Sequence, residues 1–316
     1  MPDYLHNHPE FDDLLRAVGQ EKSIDASLIA KDYWIMHVLY GLKKGGFKFQ
    51  LKGGTSLSKG YGIIHRFSED IDIRIEPPAA MDVKSEKNHD KPAHRESRKK
   101  YYDWLADEIK IDGIEKVTRD TSFDDEKHYR NGGIRLHYPY TGSVIEGIKP
   151  GILLEVGFDT VIPNQPINIS SWALAFAKEK NLNVKNNTAI GVECYAPGYT
   201  FVEKLQTIVK KYNQQQSEGK LPKNFIRHYY DVMCLLKTDV VQDFIGTREY
   251  QKHKEERFRG PIRGIDLSKS EALLLSDKAT KDLYAREYEN TKNLYSKGQP
   301  SFDEILECIK NNLSRL

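Results

Sequence analysis

Apolar and polar residues alternate at two neighbouring places early in this chain. Phe47, Phe49 and Leu51 alternate with Lys48, Gln50 and Lys52, the period of a half-buried strand, and Gly53-Gly54 then stops that strand at a tight turn. Over 67–75 the same period predicts a second strand, in which Ile71, Ile73 and Ile75 point into a core while Asp70, Asp72 and Arg74 share the other face. Helical spacing marks an N-terminal segment running to about Lys44, with Ile29 to Tyr40 packing on the sheet, and a helix over Arg95 to Ile109. Between Glu76 and Lys91 the chain is polar and rich in breakers, hence a loop. Further strands are expected near Gly133–Tyr138, Gly151–Phe158 and Ala189–Tyr195, and after Pro197 the pattern is mainly helical, punctuated by Gly260 to Gly264. There is no internal repeat. The expected fold is α/β (α+β): a mixed sheet flanked by helices over 1–195 and a helical C-terminal lobe over 196–316.

The turn and the second strand carry the chemistry. A helix after Gly53-Gly54 would present its first backbone N–H groups, the hydroxyls of Thr55 and Ser56 and the charge of Lys59 to an anion, and a phosphate chain fits there. Asp70 and Asp72, held on one strand face, repel each other unless a cation sits between them. Hard oxygen ligands beside a triphosphate suit Mg²⁺, which keeps waters and takes one or two carboxylates plus substrate phosphates. The alternatives are an ordinary turn and the solvated face of an edge strand.

Gly-Gly-[Thr/Ser] followed by Asp-x-Asp resembles the polymerase-β-like nucleotidyltransferases. The longer string Lys52-Gly-Gly-Thr-Ser-Leu-Ser-Lys59 with Arg66-Phe-Ser-Glu-Asp-Ile-Asp72 resembles the AbiEii/AbiGii family of nucleotidyltransferase toxins, from type IV toxin–antitoxin and abortive-infection systems. That family carries a further acidic strand residue, a helical Lys and an Arg-x-x-x-Asp, and candidates occur here in that order, spanning Lys52 to Asp231.

Glu155 is the lone carboxylate of the apolar run Gly151 to Phe158, where leaving it unpaired is expensive, and Asp159 competes for its role. The break at Pro197-Gly198-Tyr199, with Thr200 as N-cap and Glu203 completing a capping box, predicts a helix with Lys204 in its first turn, bordering the stripe Phe201, Leu205, Ile208, Val209 and Tyr212. Arg227 and Asp231, four apart, share a helix face and could form an ordinary ion pair. A polar insert, Asn213 to Gly219, separates the two helices.

The resemblance implies that Asp70, Asp72 and Glu155 hold metal, two Mg²⁺ ions in all. It implies that Gly53, Gly54, Thr55, Ser56, Lys59, Arg66, Ser68 and Arg227 bind the nucleotide, and that Lys204, held by Asp231, neutralises the leaving pyrophosphate. It further implies a nucleoside triphosphate donor, an RNA acceptor such as a tRNA 3′ end, a cognate antitoxin, and growth arrest as the outcome. A small-molecule nucleotidyltransferase, a non-catalytic scaffold with the same fold and a toxin working by another transfer are the other classes.

Composition changes this picture little. With 316 residues, 39% hydrophobic and 30% charged, the chain is long enough for two cored lobes and too polar for a membrane protein. Cys194, Cys234 and Cys308 lack metal-ligand spacing and read as reduced thiols. No apolar run approaches the roughly 20 residues that span a bilayer, and the acidic N-terminus lacks a signal-peptide pattern, so the expected location is the cytoplasm. Two basic stretches, Lys84 to Lys100 and Lys252 to Arg263 around Phe258, are candidates for RNA contact.

Overall fold

The computed structural model describes residues 2–86, 88–139 and 150–316; Lys87, in the first basic stretch, lies outside them. The chain divides into two compact units, Met1–Gly60 with Phe67–Tyr195 and Tyr61–Arg66 with Ala196–Leu316. The short segment Tyr61–Arg66 thus leaves the first unit just before the Asp-x-Asp strand.

The first unit is built on a mixed sheet of seven strands among the described residues. They are β1 Phe49–Lys52, β2 Asp70–Ile75, β3 Lys116–Arg119, β4 Asn131–His137, β5 Ile152–Gly157, β6 Asn164–Ile169 and β7 Ala189–Tyr195, in the spatial order β3-β4-β5-β2-β1-β7-β6. β2 runs parallel to β5 and β1 parallel to β7, while the remaining neighbours are antiparallel. The central strands obey the alternation of the sequence: Ile71, Ile73 and Ile75 are buried, while Asp70, Asp72 and Arg74 are half-buried. The second strand begins at Asp70 rather than at Phe67, and residues 67–69 lead into it outside the ladder.

Among the described residues four helices accompany the sheet, α1 Phe11–Lys22, α2 Ala26–Lys44, α4 Pro92–Glu108 and α5 Trp172–Glu179, with the short α3 Gly53–Thr55 between β1 and β2. Asp25 caps α2 by accepting from the Ser27 N–H. α4 lies on the apolar face: a Cβ at Gly132 of β4 would come within 2.7 Å of the Tyr102 ring. Nearly every residue of α2 between Leu28 and Leu42 is buried, Lys31 and Asp32 included.

The second unit is helical. α6 Pro197–Glu218 and α7 Arg227–Leu236 pack Phe201, Leu205, Ile208 and Val209 with Tyr229, Val232 and Leu235, and Phe302 and Ile305 of α12 Phe302–Lys310 complete that core. α8 Asp239–Phe244, α9 Arg248–Arg257, α10 Glu271–Leu274 and α11 Lys278–Glu289 lie between. α6 starts four residues earlier than its capping-box pattern predicts, since Pro197 occupies the first turn, where its missing N–H costs nothing. Thr200 bonds back to the Ala196 carbonyl instead of capping, and Lys204 accordingly sits in the second turn. The polar insert prolongs α6 to Glu218, where Gly219, at φ 69°, ends it in the left-handed region. Among the described residues no helix is long and apolar enough to cross a membrane.

Candidate active site

The Gly-Gly turn is built around Asp72. Gly53 has φ +72°, and a Cβ there would collide with the Asp72 carboxylate, so glycine is required both by the backbone and by the side chain it lies against. α3 follows as one α turn, Gly53–Thr55, continued by a wider π turn, Ser56–Gly60. Gly53→Ala therefore displaces the carboxylate it touches. Transfer should fall by about a hundredfold or more, with a stability loss of roughly 1–3 kcal/mol from backbone strain. Steady-state kinetics and thermal unfolding of the variant check this, and activity within tenfold of the parent rejects the placement.

Three carboxylates occupy neighbouring positions on one side of the sheet. Asp70 and Asp72 share a face of β2, and the parallel register sets Glu155 of β5 directly beside Asp72. Glu155 is half-buried within its strand, whereas Asp159 is exposed and past the strand's end. Lys52 of β1 is Asp72's register partner on the other flank, a neighbour that the Asp-x-Asp spacing does not indicate. Among the described residues no three His, Cys, Asp or Glu side chains are gathered into a ready-made cation cage. This donor set still fits Mg²⁺, which takes one or two carboxylates and completes its shell with water and substrate phosphate.

The hydroxyls and cations expected on the phosphates have partners within the protein. Thr55 Oγ1 is buried and donates to the Asp70 backbone carbonyl at 2.6 Å, fastening α3 to β2. Ser56 is buried beside the Cys194 thiol of β7. Lys59 is ion-paired with buried Asp32 of α2, and its Nζ lies 3.7 Å from the centre of the Trp172 ring. What α3 offers an anion is therefore its backbone, with Gly54 at its start. Ser68 is half-buried just before β2.

Arg66, expected on the nucleotide, is buried in the second unit. It grips Asp231 through two parallel bonds, Nε to Oδ1 at 2.6 Å and Nη2 to Oδ2 at 2.7 Å. Its segment is stitched in place by Tyr230, whose hydroxyl accepts from the His65 N–H, and by the Ser296 N–H, which donates to the His65 carbonyl. Lys204 also reaches Asp231, Nζ to Oδ2 at 2.9 Å, so Lys204 is a buried, held cation and not a solvated one. Burial of the Asp231 carboxyl favours protonation, but Arg66 and Lys204 outweigh it and hold its pKa far below the carboxylate range. Burial, aided by the Lys204 charge, keeps the His228 imidazole neutral. One anion thus meets two cations, the Arg66 guanidinium and the Lys204 ammonium, and burial pushes the Lys204 pKa down against the pull of Asp231. Arg227 opens α7, half-buried, and its charge bears on Lys204 and His228.

The family described as nucleotidyl transferase AbiEii toxin, type IV TA system, matches residues 37–308, a span that takes in the Gly-Gly turn, the three carboxylates and the Arg66–Lys204–Asp231 cluster. The chain belongs to the AbiEii nucleotidyltransferase toxin family. No curated protein matches it. Among solved structures, an antigenic nucleotidyltransferase-like protein from Paracoccidioides brasiliensis is similar at 11% identity and TM-score 0.34, over 71% of this chain and 88% of its own. This AbiEii-family chain is therefore a nucleotidyltransferase, and its family is that of a type IV toxin.

Proposed function

We propose that this nucleotidyltransferase moves a nucleoside monophosphate from a nucleoside triphosphate to a hydroxyl at an RNA 3′ end, most simply that of a tRNA, and arrests growth by doing so in the cytoplasm. The observation that carries the reading is the register of Glu155 with Asp72, beside Asp70 on the same face and against Gly53. Mg²⁺ bound there, as two ions, would neutralise the triphosphate and sharpen the acceptor hydroxyl. The backbone from Gly53 to Ser56 orients the phosphate chain. The acceptor hydroxyl releases its proton to solvent as its oxygen bonds to the α-phosphorus, the bond from that phosphorus to the α,β-bridging oxygen breaks, and pyrophosphate leaves. Lys204, kept by Asp231, is the cation assigned to the charge that develops on it.

The acceptor is argued from basic surface. The first basic stretch is largely spent: Arg98 is buried and donates to the carbonyls of His128 and His89, and Arg95 is paired with Asp90 at 3.1 Å. The second is more open. A groove of about 870 Å³ in the helical unit is lined by Lys254, Phe258, Arg259 and Arg263, with Glu255 the one carboxylate on its wall. Lys254 is engaged by the Leu316 carbonyl, which leaves the exposed Arg259 and Arg263 as the phosphate contacts. A cognate antitoxin is the expected protein partner.

Incubating the protein with total RNA and each α-labelled nucleoside triphosphate tests the proposal. Label at tRNA 3′ ends is expected, with RNA binding that weakens as salt rises, by about one phosphate contact for each of Arg259 and Arg263. Label on a small molecule with salt-insensitive RNA binding would replace the acceptor while leaving the transfer chemistry.

A further inference from the structure

Two charged residues, Lys31 and Asp32, sit side by side in the most deeply buried helix of the first unit, at 2% and 1% exposure. Consecutive residues on a helix point about 100° apart, so the two reach different elements. Lys31 Nζ lies 3.6 Å from Glu69 Oε2, and its charge also bears on the adjacent Asp70. Asp32 pairs with Lys59 near the end of α3 and accepts from the Trp172 backbone N–H at 2.8 Å. Glu69 is itself buried, at 4%, immediately before the first carboxylate of β2.

Stability alone does not explain this arrangement. Burying four charges is costly, and well-packed apolar residues of similar size in place of a buried ion pair usually leave stability equal or higher. What the pairs add is direction: an ion pair fixes where its partners lie, and here the partners belong to the two arms of the site, the phosphate-facing turn and the metal-facing strand. We infer that Lys31 and Asp32 are positioning residues, Lys31 setting the entry of β2 through Glu69 so that Asp70 is held for the cation, and Asp32 setting α3 through Lys59 so that its backbone is held for the triphosphate.

This inference rests on the proposed transfer site, and paired apolar replacements test it without leaving a lone buried charge. Lys31→Met with Glu69→Leu should weaken Mn²⁺ binding, followed by electron paramagnetic resonance, at least fivefold and lower kcat at least tenfold, with KM for the nucleotide little changed. Asp32→Leu with Lys59→Met should raise KM for the nucleotide at least tenfold, with kcat within threefold and Mn²⁺ binding as in the parent. Both should unfold at or above the parent's temperature. Where either fails to fold, Glu69→Gln and Asp32→Asn are read in the same way, the first for weaker Mn²⁺ binding and lower kcat and the second for higher KM, with the charge-keeping Lys31→Arg as the control that retains Mn²⁺ affinity within twofold. The inference is overturned if folded apolar pairs match the parent in Mn²⁺ binding, KM and kcat, or if both pairs change the same parameter. A parent chain that binds Mn²⁺ and nucleotide but transfers nothing would reject the proposed activity, and the binding measurements would still decide the positioning roles.

Discussion

Asp72→Asn should give a chain that folds like the parent and does not transfer nucleotide. The substitution keeps the shape of the side chain and removes its charge, and the backbone of residue 72 remains paired on both flanks, with Lys52 and Glu155 as register partners. Nothing in the core moves, because the buried residues of β2 are Ile71, Ile73 and Ile75 on the opposite face. A loss of at least about 10³-fold in kcat/KM is expected, roughly 4 kcal/mol of barrier. Glu155→Gln should cost at least about a hundredfold, roughly 2.7 kcal/mol, while Asp159→Asn, exposed beyond the strand, should stay within about twofold. In bacteria the arrest caused by inducing the parent should disappear with Asp72→Asn. Circular dichroism, single-turnover kinetics and growth curves are the measurements, and an Asp72→Asn protein active within tenfold of the parent removes this site.

The pattern of the sequence gave away the centre of the sheet and little of its rim. β2, β5 and β7 are interior strands with a neighbour on each side, so their side chains meet a core on at least one face and the period is visible; the alternation over Ala189–Tyr195 corresponds to β7. β3, Lys-Val-Thr-Arg, and β6, with Pro166 in its middle, are the two edges among the described residues, where polar residues are tolerated. Neither shows an alternation, and neither was anticipated. α5 was missed for a related reason: eight residues give too few turns for a periodic signal.

Within the candidate site, the strand positions of the carboxylates follow from the sequence, and the partners of the cations do not. Asp70, Asp72 and Glu155 are fixed by strand register, which follows from a period of two. Where Lys59, Arg66, Thr55 and Ser56 place their polar groups depends on elements far away in sequence: Asp32 is 27 positions before Lys59, and Asp231 is 165 positions after Arg66. No local rule encodes those partners. A signal for Lys31 and Asp32 did exist, since both fall inside the helical stretch Ile29 to Tyr40, whose residues are otherwise apolar almost all round, and charges in such a helix must be buried with partners.

Asp231→Asn should be the most destabilising single change in the helical unit, and its contrast with Lys204→Met separates structure from chemistry. Asp231 is fully buried and is shared by the Arg66 guanidinium and the Lys204 ammonium; neutralising it leaves two buried cations facing each other. Breaking a buried pair in this way costs about 3–5 kcal/mol. The unfolding midpoint should then drop by on the order of 10 °C. The same coupling has a sign in acid: the folded carboxyl's pKa lies below its unfolded value, about 3.9, so the stabilisation is present above that pH and is lost progressively as pH falls below it. Asp231→Asn should abolish that part of the acid dependence. Lys204→Met removes the second cation and leaves the two-pronged Arg66–Asp231 bond intact, so its midpoint should stay within a few degrees of the parent while kcat falls about a hundredfold, roughly 2.7 kcal/mol. Thermal melts from pH 7 down to pH 3 alongside kinetics decide the matter. If the two variants lose stability equally, Lys204 is a structural member of the cluster; if Asp231→Asn melts with the parent, the charge balance around Asp231 is wrong.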